Sequence, residues 1–135
     1  MSSNKAKKGN PFERDVAYSL IQAGFDVEIL GDNSKSIDII AQSKASRYAI
    51  ECKFHRSFTW NKAVKYFKKI PKKSGLQMQE PLLIFKSNRQ PVLVMHQKGN
   101  GISVTTFDGF FHGFKFSRRP KGWKIWKHKQ SGGKK

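Results

Sequence analysis

The chain has 135 residues, 27 Lys/Arg against 9 Asp/Glu for a formal net charge of +18, and one cysteine. That length suits one domain with a real core, and a lone cysteine excludes an intramolecular disulfide framework. With no secretory signal and no apolar run approaching ~20 residues, a soluble intracellular protein with no membrane partner is expected. The charge is unevenly spread: residues 1–54 carry eight basic and seven acidic side chains, residues 55–135 nineteen and two. A polyanion is the natural partner of the second part, because each Lys or Arg placed on a phosphate releases condensed counterions.

In chain order, MSSNKAKKGN is small, polar and basic, and residues 1–9 are expected to form a flexible arm. Asn10 suits an N-cap, Pro11 the first helical position and Gly24 the C-terminal cap, so the spacing predicts a helix over 11–23. Val16, Ala17, Leu20 and Ile21 form its apolar stripe, and Glu13 extends that stripe toward the N-terminus. FDVEIL (25–30) alternates as a strand, GDNSKS (31–36) is a polar loop, and IDIIAQ and RYAIECKF read as a hairpin. FTWNKAVKYFKKI, capped by Thr59, is a helix with a basic face, and PKKSGLQMQE is a linker. PLLIFKS (81–87) and PVLVMHQ (91–97) read as buried strands, and GISVTTF (101–107) follows a turn at KGNG. The order predicts an α/β fold, a mixed central sheet flanked by helices. The expected domain spans residues 10–117, followed by a basic, Trp-containing tail over 118–135.

The chemistry concentrates on the hairpin. With Ser43 to Ser46 as the turn, Asp38 and Glu51 are equidistant from its centre and face each other directly, their Cβ atoms ~4.5–5.5 Å apart, with Lys53 one pleat along. Alternation puts Asp38 with Ile40 on one face and Ile37 with Ile39 on the other. Two like charges so placed need a shared proton, a lysine or a divalent cation. If the first helix packs across the hairpin, Glu13 joins them. Oxygen ligands of this kind suit Mg²⁺ or Mn²⁺, and such an ion promotes phosphodiester hydrolysis.

The set Glu13, SIDII around Asp38 and IECK with Glu51 and Lys53 resembles the PD-(D/E)XK nucleases, and its spacing is most similar to the archaeal-type Holliday junction resolvases, which also occur in viruses. KGNPFERDVAYSLIQAGFDVE resembles their opening segment, and NSKSID their loop with a functional serine, here Ser34. The likeness covers roughly residues 7–54. It implies a restriction-endonuclease-like core and a homodimer acting on branched double-stranded DNA without a small-molecule cofactor. It also implies Mg²⁺, with Mn²⁺ able to substitute, held by Asp38, Glu51, the Cys52 backbone carbonyl and Glu13. Lys53 would activate the attacking water, and Ser34 would contact the phosphate. Lys8, Ser34, Lys35, Ser36, Arg56, Lys62, Lys65, Lys68 and Lys69 are the residues expected to touch DNA. Two features depart from the family pattern: Asn33 stands where glycine is common, and the second helix differs.

Each residue also has a structural reading. Glu13 occupies the capping-box position relative to Asn10, Asp38 and Glu51 are compatible with an exposed sheet face, and Cys52 with a small buried apolar residue. His55, His96, His112 and His128 lack zinc spacing; His55 could touch DNA or be an exposed strand-end residue. Trp123 and Trp126 suit either base stacking or core packing. The candidate dimer surfaces are the apolar strands after residue 81 and FFHGF. Cleavage of linear, flap or single-stranded DNA, and non-enzymatic nucleic-acid binding, are the competing functions.

Overall fold

The structure, a computed structural model, describes residues 2–30, 37–71 and 79–124, with residues 2–10 as backbone alone. Helix α1 (Ser2–Gln22) buries Phe12, Val16, Ala17, Leu20 and Ile21 along one stripe. Its end follows from Gly24, whose φ of +99° lets the Gly24 and Phe25 N–H groups return to the Ile21 and Leu20 carbonyls. This is the Schellman geometry that glycine permits without a Cβ clash. The start differs from expectation: the helix runs back to Ser2 through Pro11, so Asn10 is not an N-cap and Glu13 lies in the helix interior. Proline costs one i→i−4 bond there, while Lys5, Ala6, Lys7 and Lys8 are good helix formers. The residues expected as a flexible arm are helical from Ser2 onward.

Six strands follow: β1 (Asp26–Ile29), β2 (Ile39–Gln42), β3 (Arg47–His55), β4 (Glu80–Ser87), β5 (Leu93–Lys98) and β6 (Gly101–Thr106). Among the described residues they form one sheet in sequence order, and only β3 and β4 are parallel. A parallel neighbour needs a crossover connection, supplied by helix α2 (Trp60–Lys69), whose Thr59 hydroxyl accepts the Lys62 N–H. Period-2 alternation splits the core. Ile39, Ala41, Ile50, Leu82, Ile84 and Val94 meet α1, whereas Ala49, Leu83, Phe85 and Met95 meet Ala63 and Phe67 of α2. β4 is covered on both faces, which is why PLLIF reads as a continuous apolar run. The mixed sheet between helices is the expected fold class.

The chain after residue 106 carries structure that its sequence signalled weakly. A short helix, α3 (Phe107–Phe110), starts where Thr106 accepts the Gly109 N–H, and Phe107 and Phe111 are buried. Residues 117–119 then run along α1. Ser117 N–H donates to the Ser19 hydroxyl at 2.9 Å, and Arg119 N–H donates to Asp15 at 3.1 Å. The spacing matches: alternate residues of an extended chain lie ~6.6 Å apart, and i,i+4 residues of a helix ~6 Å. Arg119 also pairs with Asp15 and donates to the Pro11 carbonyl, and Trp123 packs edge-on against Tyr18. The expected boundary at 117/118 is therefore crossed by a strap that continues onto the domain.

Of the two expected dimer surfaces, β4 and β5 are paired on both sides within the sheet. Phe111, of FFHGF, packs among Phe25, Tyr48 and Phe107.

Candidate active site

The hairpin has the expected register. Ile39, Ile40, Ala41 and Gln42 face Ile50, Ala49, Tyr48 and Arg47, and Ser43 closes the turn on Ser46. Asp38 departs from it. Its N–H donates to the Ile50 carbonyl at 2.7 Å, the residue that Ile39 already faces, so two residues of one strand oppose one of the other, the arrangement of a β-bulge. Alternation is reset there: Ile37 packs with Ile40 in the α2-side cluster, and not with Ile39 as expected. The bulge re-aims Asp38, whose carboxylate accepts the Cys52 N–H at 2.8 Å and still interacts with the Glu51 side chain across the hairpin.

The two acids still feel each other. Burial first, and then the Asp38 charge, push the Glu51 carboxyl above its ordinary range, against the pull of Lys53. Burial likewise raises Asp38, although the Cys52 N–H and Lys53 draw it down. The Lys53 ammonium stands 3.2 Å from Glu51. One ammonium beside two partly desolvated carboxyl groups leaves room for further positive charge, and two carboxylate oxygen donors fit a hard divalent cation.

Glu13 is half-buried on α1, which packs on the sheet face opposite to the one Ala49 presents. Its carboxylate reaches the site electrostatically: burial, then Asp38, Glu13 and Glu51 in that order, push the Cys52 thiol well above its usual range. Cys52 itself packs against the α1-side core, as a small apolar residue would. Among the described residues no three carboxylate, histidine or cysteine side chains are spaced as a ready metal cage. Asp38, Glu13 and Glu51 thus all bear on Cys52, with Glu13 reaching it from α1.

Two residues near Lys53 make contacts that the sequence did not signal. Its ammonium lies 4.6 Å from the centre of the Tyr66 ring, the geometry of a cation–π contact. The Tyr66 hydroxyl is 3.2 Å from His55 Nε2, the two rings stack with centroids 5.7 Å apart, and Phe58 closes edge-on against His55. Burial, and after it the charges of Lys62 and Lys53, lower the His55 imidazole. His55 is thus a half-buried brace for Tyr66. Tyr66 carries no signal of its own in the sequence, and the β3–α2 packing brings it over Lys53.

Of the expected DNA contacts, Arg56, Lys62, Lys65, Lys68 and Lys69 are exposed. Ser34, Lys35, Ser36 and Trp126, and the Lys8 side chain, lie outside the described residues. No helix among the described residues is long and apolar enough to cross a membrane.

Comparison with known proteins bears on the same segment. The profile of the archaeal Holliday junction resolvase (Hjc) family matches residues 4–106, a span that contains every strand and stops before α3. No curated protein sequence matches the chain. Nine chains of solved structures match it. Among them is Hjc of Archaeoglobus fulgidus, a Holliday junction resolvase from an archaeal hyperthermophile, at 19% identity and a TM-score of 0.47, covering 80% of this chain and 91% of that one.

Proposed function

The chain belongs to the archaeal Holliday junction resolvase family, and from that premise we propose that it is a Mg²⁺-dependent endonuclease that resolves four-way DNA junctions by paired phosphodiester hydrolysis. The observation that carries the reading is Asp38, immediately before β2, meeting Glu51 and Lys53 of β3, with both carboxyl groups lifted by burial and the Lys53 ammonium paired with Glu51. Members of the family generally use divalent metal ions. Mg²⁺ suits this pair because it is held by one or two carboxylates and keeps several waters, and Mn²⁺ would substitute.

Asp38, Glu51 and the Cys52 backbone carbonyl would hold the ion, and Glu13 would act directly or through water. The ion supplies polarisation of the phosphate and a more acidic water. Lys53 orients that water and stabilises the negative charge developing on the phosphate. Tyr66 holds the Lys53 ammonium on course. Ser34, in the loop before Asp38, contacts the phosphate near the cut. Lys8, Lys35, Ser36, Arg56 and the exposed lysines of α2, Lys62, Lys65, Lys68 and Lys69, track the backbone of the branched duplex, which is recognised by shape and charge.

Two symmetric nicks need two sites, so the working unit is a homodimer. With β4 and β5 interior to the sheet, the edge strand β6 and the FFHGF segment are the candidate surfaces for that contact. An intracellular location follows from such a substrate.

The test is cleavage of a four-way junction beside its isolated linear arms, with Mg²⁺ and with EDTA, using wild type and Glu51→Gln. Paired nicks in the junction that require Mg²⁺ and vanish in Glu51→Gln are expected. Equal cutting of linear arms would remove junction selectivity, and no metal-dependent cutting of any substrate would remove the nuclease reading.

A further inference from the structure

The strap after α3 builds a second site. With the first turns of the apolar part of α1 and the end of β3 it encloses a groove of about 930 Å³. The family match ends at residue 106, so the groove's outer wall, residues 116–124, lies outside the segment shared with the family. Arg14, Arg56, Lys86, Arg118, Lys121 and Lys124 line it. Its one acid among the described residues, Asp15, is already bound to Arg119, so the surplus of positive charge faces an occupant.

The groove also offers an aromatic face. Phe54, immediately after Lys53 on β3, is 46% exposed, although it is an apolar residue at the end of a core strand. It is braced edge-on by Phe12, with centroids 5.7 Å apart, and the Lys86 ammonium lies 5.5 Å from its ring centre. A duplex keeps its bases stacked inside and presents phosphates outward, so cations alone suffice to hold it. An exposed ring set among cations matches an unpaired strand, whose bases need a stacking partner and whose phosphates need charge.

We propose that this groove binds an unpaired stretch of the DNA substrate, one base stacking on Phe54 with adjoining phosphates on Arg56, Lys86, Arg118 and Lys121. It rests on the nuclease reading only for its biological setting: a strand opened at a branch point would be captured by the residue that follows Lys53 on β3, on the α1 face of the sheet and opposite to the face that Lys53 shares with Tyr66. The strap would then be a grip for unpaired DNA added to a family core.

The experiment uses the full chain in EDTA, where nothing is cut, with a short fluorescent single strand and a duplex of the same sequence as probes. Phe54→Leu keeps an apolar partner for Phe12 but loses the stacking face, and thermal melting of the variant checks that it folds. Single-strand affinity is expected to fall roughly 5- to 100-fold, the effect of losing one base–aromatic stack, while duplex affinity changes less than about twofold and Phe54→Tyr restores single-strand binding. Arg118→Ala with Lys121→Ala should lower the salt dependence of single-strand binding by about 0.7 for each phosphate no longer neutralised. Equal loss of both probes in Phe54→Leu, or loss of neither, overturns the proposal. Junction cutting with Mg²⁺ is scored separately: Phe54-dependent single-strand binding by a protein that cuts nothing would keep this site and remove the nuclease reading, and cutting without that dependence would do the reverse.

Discussion

Lys53 is held from two sides, by the Glu51 carboxylate at 3.2 Å and by the Tyr66 ring at 4.6 Å. Lys53→Ala is expected to lower kcat on a junction by about 10²- to 10⁴-fold with junction binding in EDTA retained; loss of binding to the same degree would move Lys53 from chemistry to grip. Tyr66→Leu removes an interaction of about 0.5–2 kcal/mol, so kcat should fall roughly 2- to 30-fold with KM little changed. Tyr66→Phe keeps the ring face and should recover most of that rate, an outcome a merely structural hydroxyl would not give. The acids make a prediction about pH. A carboxyl group whose pKa is raised by folding binds its proton more tightly in the folded chain, so its contribution to stability falls as pH rises through the raised value and returns as pH drops. Both Asp38 and Glu51 are raised. In EDTA, Asp38→Asn should therefore melt higher than wild type at neutral pH. The difference should vanish near pH ~4, where ordinary carboxyl groups also protonate, and adding Mg²⁺ at neutral pH should raise wild type more than the variant. A constant difference across pH would show that charge repulsion is not its source.

At the level of elements, the bulge at Asp38 and the strap on α1 act where no single residue could. The bulge turns Asp38 onto the Cys52 N–H, and the strap fixes residues 117–119 to Asp15 and Ser19. Asp15→Ala leaves the Arg119 N–H and guanidinium without their carboxylate, in a partly buried position. A loss of about 1–3 kcal/mol in unfolding free energy is expected, together with faster tryptic cleavage at Arg118, Arg119 and Lys121. Unchanged cleavage would mean that the strap is held by Trp123 and Ser117 alone. Strands β1 to β6 and helix α2 were legible because each carries its own local signal: period-2 alternation, a Thr59 cap, turn residues at Ser43–Ser46 and KGNG. The hairpin register was legible for the same reason, since turn length fixes which residues face each other. The bulge was not, because an extra residue opposite Ile50 leaves no mark on hydrophobic patterning. Nor was the start of α1, where Asn10 and Pro11 give a strong local stop signal that the structure overrides. The strap lacked periodicity altogether, since its hydrogen bonds go to a helix about a hundred residues earlier in the chain.

For the whole molecule, charge and fold are divided. The nearly neutral first part holds Glu13, Asp38, Glu51 and Lys53, and the later part supplies Lys62, Lys65, Lys68 and Lys69 on α2 and the cations of the groove. Junction affinity should therefore fall steeply with salt, log K declining by about 0.9 per phosphate neutralised. Replacing the four α2 lysines with Ala should flatten that slope in a salt titration by up to about 0.9 for each lysine, and an unchanged slope would place the duplex elsewhere. By itself the sequence determined the fold class and the hairpin register and nominated the candidate site, because periodicity, turn chemistry and the spacing of acids are local quantities. Tertiary structure alone decided that a bulge turns Asp38 onto the Cys52 N–H, that the Glu13 charge reaches Cys52 from α1, that Tyr66 covers Lys53, and that the last described residues wall a basic aromatic groove. Those four depend on which face of the sheet each helix and strap covers, and that choice is made by packing between segments far apart in the chain.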